Sequence, residues 1–438
     1  MRLDALSLWC LIDPAHPRYV GELRLAASGK GVSLRYGRDW LENGFALSED
    51  LPLVDTEFFP LPRLLGEARA VGAVDDARPD RWGEKVIRYV DRPDRLSLME
   101  YLYYAGDDRF GALGVSTRPD EYRPKPNGPL PRLQDVQLLS EVIAKIEGAE
   151  PLNQLEARII AGGGSPLGGA KPKALIEIGG VQWVIKFFNH EPVDAPLVEH
   201  ACMTLAARAG ITVAETQVIR LSGVHAIAIR RFDREQGNRI HGISAGTAIR
   251  AATQPGVEPD MAYPELARIL RRKGVSRDDL NQADAKELFR RMVFNILVDN
   301  TDDHEKNHSL LVPDPFGAGQ FRLAPAYDVL PTNSGQGFQE FRCGTRGQES
   351  TLENAMSECV AFGLTPKEAA SEIVSVIKVV DGWQPHFRSV GVSGRDIEDL
   401  AQRIDGEPLL GQRVAFDAGR ITSVPAREKR PGPFQRRT

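Results

Sequence analysis

The segment NILVDNTDDHEKNHSLL, residues 295–311, holds the densest set of chemically capable side chains in the sequence. Within it Asp302 and Asn307 stand in a D-x4-N arrangement. Phosphoryl transfer asks for such a pair: a carboxylate takes the proton of an attacking hydroxyl, and an amide oxygen holds Mg2+ close by. Further on, FRLAPAYDVLPT puts Asp328 after a short strand, where a second metal-binding carboxylate belongs. A solvated acidic loop would explain the same residues. The segment also spells His304-Glu305-Lys306-Asn307-His308, formally H-E-x-x-H. In that pattern two histidines one helical turn apart bind Zn2+ and the glutamate is the general base, with Asp328 available as third ligand. It requires a stable helix, whereas here it follows an acidic Asn-Thr-Asp-Asp turn and Pro313 comes soon after.

Two upstream features suit nucleotide phosphates and are left without a role by zinc. The stretch AGGGSPLGGAKPK, residues 161–173, carries Gly162, Gly163, Gly164, Gly168 and Gly169, then Lys171 and Lys173. Glycines let backbone N–H groups approach phosphate oxygens, and lysines add charge. The stretch fits neither GxxxxGK[ST] nor GxGxxG, and a flexible turn is its plain reading. Lys186 lies in the apolar strand pattern VQWVIKFF, and Glu199 follows near the start of a helix. A strand lysine held by a helix glutamate is how kinases grip the α- and β-phosphates. RRFDRE, residues 230–235, ends the last strand before the helical part, the hinge position of a kinase plan.

The elements that must position these residues follow from periodicity. YVGELRLA and VSLRYG flank the turn SGKG and read as a hairpin, preceded by a first strand in MRLDALSLWC. That opening stretch is too short and too acidic at its flanks for a secretion signal. RWGEKVIRYV and LSLMEYLYY read as helices, and 111–115 as a strand. Residues 117–133 have the proline and charge of a linker. The helix VQLLSEVIAKIEG comes next, then the strands ALIEIGG and VQWVIKFF, the helix LVEHACMTLAARAG and the strands ETQVIRL and HAIAIRRF. Beyond Ile240 the pattern turns helical, with Leu288, Met292, Val293, Ile296 and Leu297 on one face of KELFRRMVFNILVDN. The expected units are 1–120, a nucleotide-binding lobe at 135–240, a helical catalytic lobe at 241–425, and a disordered basic tail at 426–438.

Composition sets limits. The 438 residues carry 55 Lys and Arg against 60 Asp and Glu, a net charge of −5, which leaves no chain-wide basic field for nucleic acid. Cys10, Cys202, Cys343 and Cys359 are scattered with no CxxC pair, which argues against a disulfide framework and fits a reducing, cytoplasmic compartment.

Taken together these segments resemble the HipA family, the serine/threonine kinase toxins of bacterial toxin–antitoxin pairs. GGAKPKALIEI with VIKFF is similar to the family's phosphate loop and ATP lysine, LVEHACMTLAARAGI to its glutamate helix, and IRRFDR to its R-F-D-R hinge. TDDHEKNHSLL followed by APAYDV is similar to its T-D-x-H-x-K-N-x-S and Y-D signatures, and the first ~115 residues to its N-terminal subdomain. The resemblance implies an α+β, protein-kinase-like two-lobed fold with a β-rich N-terminal subdomain and a mainly helical C-terminal lobe. It implies ATP and Mg2+ as cofactors. Lys186 would bind phosphates, oriented by Glu199, with Gly168, Gly169, Lys171 and Lys173 beside it. Asp302 would be the general base, and Asn307 and Asp328 would hold Mg2+. Arg230 and Phe232 would meet adenine through their backbone, His304 would be a structural residue of the catalytic loop, and Lys306 would neutralise the transferring phosphate. Family members autophosphorylate a phosphate-loop serine. Here the aligned position is Pro166, with Ser165 one residue earlier as the candidate. The implied partners are a HipB-like DNA-binding antitoxin and a protein substrate tied to translation, such as an aminoacyl-tRNA synthetase, with DNA touched only indirectly. An inactive corepressor module is the other reading within the same fold.

Overall fold

Apolar alternation in the first 116 residues builds one mixed sheet from β1 (Ala5–Cys10), β2 (Arg18–Leu25), β3 (Gly31–Tyr36), β4 (Glu57–Phe58), β5 (Arg69–Ala70) and β6 (Leu113–Ser116). Its order is β4-β3-β2-β1-β6, antiparallel except that β5 pairs β3 in parallel. Leu6, Leu8, Val20, Leu23, Val32 and Leu34 are buried in one core with Trp40 of α1 (Arg38–Asn43) and Leu98, Met99 and Leu102 of α3 (Leu98–Tyr104), whereas Trp82 and Val86 of α2 (Arg81–Val90) belong to a second core. The structure, a computed structural model, describes residues 2–26, 29–60, 68–163, 171–188, 191–332 and 334–416. Ser165, Gly164, Gly168, Gly169 and the expected tail at 426–438 lie outside them.

The proline-rich run 117–133 is irregular but anchored. The Tyr122 ring lies 5.8 Å from that of Trp9, and its hydroxyl bonds Asp107.

The second unit comprises α4 (Val136–Glu147), α5 (Gln154–Gly163), β7 (Lys173–Ile178), β8 (Val181–Lys186), α6 (Ala195–Arg208), β9 (Thr216–Arg220) and β10 (His225–Arg230). Its antiparallel sheet runs β7-β8-β10-β9. Gly179 and Gly180 both have positive φ, 59° and 77°, the demand of a two-residue hairpin turn that follows the strand twist. Gly162 and Gly163, expected in a phosphate loop, instead close α5. A Cβ on Gly163 would sit 2.3 Å from the Leu175 carbonyl oxygen, so glycine lets this helix end press onto β7.

The third unit is less purely helical than its periodicity suggests. After the small hairpin β11 (Arg234–Glu235) and β12 (Asn238–Arg239) come β13 (His241–Ser244), α7 (Ala245–Ala252), α8 (Tyr263–Lys273) and α9 (Leu280–Leu297). Then follow β14 (Ser309–Val312), β15 (Arg322–Leu323), α10 (Leu352–Ser357), α11 (Pro366–Val380), α12 (Trp383–Val390), α13 (Gly394–Ile404) and α14 (Glu407–Ala415). β13, β14 and β15 form an antiparallel sheet. Strands of two to four residues are too short to declare an alternation, which is why the sequence reads as helix alone. α9 is buried on more than the expected face, since Phe289 and Phe294 are enclosed as well. It runs straight into the loop 298–308, and β14 leads out of it. No helix among the described residues is long and apolar enough to cross a membrane.

Candidate active site

Lys186 ends β8 and is directly opposite Lys173 on β7, so both ammonium groups leave the same face of the sheet. Like charges at that spacing repel, and the fold supplies carboxylates to offset them. Glu199 arrives on α6, whose start is fixed by Asp194 as its cap and by the 2.6 Å contact of Asp194 with His225 on β10. Lys186 Nζ donates to Glu199 Oε1 at 2.8 Å and to Asp328 Oδ1 at 2.6 Å. Both Lys186 and Glu199 are buried. Burial opposes the charge on Lys186, but the two carboxylates outweigh it and raise its pKa. Burial would raise the Asp328 carboxyl, yet Lys186 and Lys173 pull it down to about 2. Lys173 goes the other way: burial, aided by the Lys186 charge, lowers it to about 8.

Asp328 has φ of 60°, the left-handed region that asparagine and aspartate tolerate best among residues with a Cβ. Its side chain keeps 40% of its surface exposed while bonded to Lys186. Tyr327, just before it, donates its hydroxyl to the Lys306 carbonyl at 2.7 Å and shares a 2.8 Å hydrogen bond with Ser309. The strap carrying Asp328 is thereby tied to the loop carrying Asp302 and Asn307.

That loop is held from within. Asn307 N–H donates to the His304 carbonyl at 2.9 Å, and Asn307 Nδ2 donates to the Asp302 carbonyl at 3.3 Å. Lys306 N–H donates to His304 Nδ1 at 3.2 Å, which makes His304 a brace of the loop. The Asp302 side chain is exposed. Its neighbour Asp303 is buried, accepts from Tyr263 OH and pairs with His308 Nε2 at 2.8 Å. Burial would raise the Asp303 carboxyl, but His308 and Tyr263 hold it below the usual carboxylate range. The first of the two adjacent aspartates is therefore presented to solvent and the second is a strut.

This geometry removes the zinc arrangement. Residues 302–308 are turns and irregular backbone, so His304 and His308 do not share a helix face. His304 braces the loop and His308 is spent on Asp303. No group of three or more potential metal-binding His, Cys, Asp or Glu side chains occurs among the described residues.

The remaining expected site residues are spread more widely. Lys171 is exposed, pairs with Glu191 and lies 5.1 Å over the Phe188 ring. Arg230 is exposed at the end of β10 and bonds Glu215 at 3.1 Å. Phe232 is half-buried and stacks on Tyr327 with ring centroids 5.4 Å apart. Lys306 reaches Asp80 of the N-terminal unit at 2.6 Å. The other letters of R-F-D-R form a clamp, which the sequence did not reveal. Buried Arg231 makes a two-point pair with Asp233, at 2.9 and 2.7 Å, and donates to the Asp108 and Arg109 carbonyls. Asp233 also accepts from Gly111 N–H at 2.8 Å. The clamp thus fastens the hinge to the 107–111 loop of the N-terminal unit.

The HipA-like C-terminal domain matches residues 165–383, and the HipA N-terminal domain matches residues 15–116. The chain belongs to the HipA family. It is 23% identical over 364 residues to the serine/threonine-protein kinase toxin HipA of Shewanella oneidensis, covering 73% of this chain and 75% of that one. It is 33% identical over 171 residues to a Sinorhizobium fredii protein whose name carries the word kinase, covering 35% of this chain and 38% of the relative. The HipA chain in a solved complex of Shewanella oneidensis HipA, HipB and operator DNA superposes with a TM-score of 0.62 at 16% identity, over 93% of this chain and 98% of that one. The two-lobed, kinase-like HipA fold is therefore the fold of this chain.

Lys186, Glu199, Lys173 and Asp328 lie together, and Tyr327, next to Asp328, bonds the loop that carries Asp302 and Asn307. Their donors fit the cofactors of phosphoryl transfer. A carboxylate and an amide oxygen are the hard ligands Mg2+ prefers, and two lysines on one sheet face suit polyphosphate. Glu199 holds Lys186 through Oε1, and its Oε2 is buried with no hydrogen-bond partner among the described residues.

Proposed function

We propose that this chain is an ATP- and Mg2+-dependent protein serine/threonine kinase, the toxin of a HipBA-like pair. The observation that carries the proposal is the buried ammonium of Lys186 bonded to both Glu199 and Asp328, beside a loop that exposes Asp302 and bonds Asn307 to its own backbone.

Each residue then has a task. Lys186, steadied by Glu199, binds the α- and β-phosphates, and Lys173 and Lys171 add charge along the same edge. Asn307 and Asp328 are the residues that would hold Mg2+, which supplies charge neutralisation on the phosphates. Asp302 accepts the proton of a substrate serine or threonine hydroxyl as its oxygen attacks. Lys306 offers an ammonium to the transferring group. Arg230 and Phe232 lie at the hinge edge where the adenine would rest. Most of the rate gain comes from position and electrostatics, since phosphoryl transfer asks little covalent work of the protein.

The partner in this reading is a HipB-like antitoxin that makes the DNA contacts, in keeping with a net charge of −5 here. The target is a translation-related protein, an aminoacyl-tRNA synthetase being the type. Ser165 is the self-phosphorylation candidate, and the cytoplasm is the compartment. The reading is tested by following radiolabelled γ-phosphate from ATP into protein, with Asp302→Asn alongside. Label on serine or threonine in the wild type alone supports it, and label in neither refutes it.

A further inference from the structure

The N-terminal unit contributes to the active site through one short segment. Asp76 accepts from Ser244 N–H at 2.8 Å and from its hydroxyl at 2.7 Å, at the start of α7 in the helical lobe. The Trp82 indole donates to the Lys173 carbonyl at 2.8 Å, and its ring is buried with Ile185 and Ala228 in the core of the nucleotide-lobe sheet. Between these anchors lies Asp80, the cap residue of α2. Its side chain makes no capping hydrogen bond to that helix and instead meets Lys306 Nζ at 2.6 Å, across 226 residues of sequence.

We infer that Asp80 is a positioning residue of the phosphoryl-transfer site, holding the Lys306 ammonium in place from the N-terminal unit. The inference rests on the kinase reading for what Lys306 does, but not for where it is held. Lys306 is 46% exposed and Asp80 18%. A lysine that open has a four-carbon stem and no fixed direction of its own. One of its three N–H donors is fixed by Asp80, and two remain for phosphate oxygens. The carboxylate in turn is set by its neighbours, because Asp76 grips one lobe and Trp82 the other. A transfer site whose lysine is aimed this way is complete only while the N-terminal unit is docked.

The test is a double-mutant cycle of Asp80→Asn, Lys306→Met and the pair, in the full chain. Asp80 makes no side-chain capping bond to α2, so the first variant removes no cap from that helix. With Mg·ATP, Asp80→Asn should lower kcat about tenfold, as misplacement of a positioned group does, while KM for ATP stays within about twofold. The double variant should fall no lower than Lys306→Met alone. Hydrogen exchange of a peptide spanning 299–309 gives a readout that needs no activity. Exchange should rise in Asp80→Asn to the level of Lys306→Met, with no further rise in the pair. Additive losses of kcat, or loop exchange unchanged in Asp80→Asn, overturn the inference. A wild type that transfers no phosphate overturns the kinase reading instead, and the exchange data still decide for or against Asp80.

Discussion

Lys186 and Asp328 form a 2.6 Å ion pair that joins the last residue of a nucleotide-lobe strand to the strap that follows β15. One buried cation is thus shared by Asp328 and Glu199. Such an arrangement tolerates exchange. In the proposed kinase, Asp328 would be free to hold a divalent cation while Glu199 continues to aim the lysine.

Removing the shared cation should be costly. Lys186→Met leaves Glu199 fully buried without its partner, the situation in which breaking a buried pair costs about 3–5 kcal/mol. Chemical denaturation should show that loss. Adding Glu199→Gln to the same chain should return most of it, while activity stays absent in both. Equal stability of Lys186→Met and wild type would show that the pair does not contribute to holding the fold.

The two exposed carboxylates should separate by ligand. Asp302→Asn should abolish transfer but keep the thermal stabilisation given by Mg·ATP. Asp328→Asn should lose both. Activity should vanish with EDTA and return with Mg2+, and a zinc-selective chelator should leave it unchanged. Loss of activity to the zinc chelator would restore the His304–His308 reading.

Much of this site was legible in the sequence, and the reason is local. Asp302 and Asn307 are a few positions apart, Lys186 ends an apolar strand pattern, and Asp328 follows a recognisable strand. What escaped were contacts across long separations. Nothing in R-F-D-R says that Arg231 and Asp233 bond a loop more than a hundred positions earlier. The spacing to Asn307 singled out Asp302, but the strut role of Asp303, buried beneath Tyr263 and His308, is not expressed by adjacent identical letters. Gly162 and Gly163 misled because glycine serves close helix–strand packing as readily as phosphate binding. Asp80 was invisible as a site residue, since its meaning lies in Lys306.

Lys173 should leave a mark in the pH profile. Its folded pKa is about 8, below the unfolded value of about 10.4. From about pH 8 to 10 the unfolded chain therefore binds more protons, so the cost of burying this charge is relieved as pH rises and is present in full below 8. In the proposed kinase, function runs opposite to stability, because the charge assigned there to the phosphates is lost. kcat/KM for ATP should fall above about pH 8, and Lys173→Met, already weaker, should lack that limb. A wild-type profile flat to pH 10 would contradict this.

The clamp predicts the acid limb of stability. Asp233 is held far below its ordinary range: burial would raise it, but Arg231, Arg234 and the Gly111 N–H outweigh that. A depressed folded pKa contributes stability that is fully present above the unfolded value of about 3.9 and is lost as pH falls below it. Asp233→Asn should cost about 3–5 kcal/mol at neutral pH, because Arg231 is left buried without its partner. It should also flatten the fall in stability below pH 4. An unchanged acid limb would remove Asp233 from the account.

The most direct measurement is intact mass after incubation with Mg·ATP, for wild type and Asp302→Asn side by side. A phosphate gained by the wild type alone, mapping to a serine or threonine such as Ser165, is the expected result and establishes transfer and base together. A phosphate gained equally by Asp302→Asn would contradict the assignment of the base. No phosphate on either protein, with none passed to an added acceptor, would contradict the kinase itself.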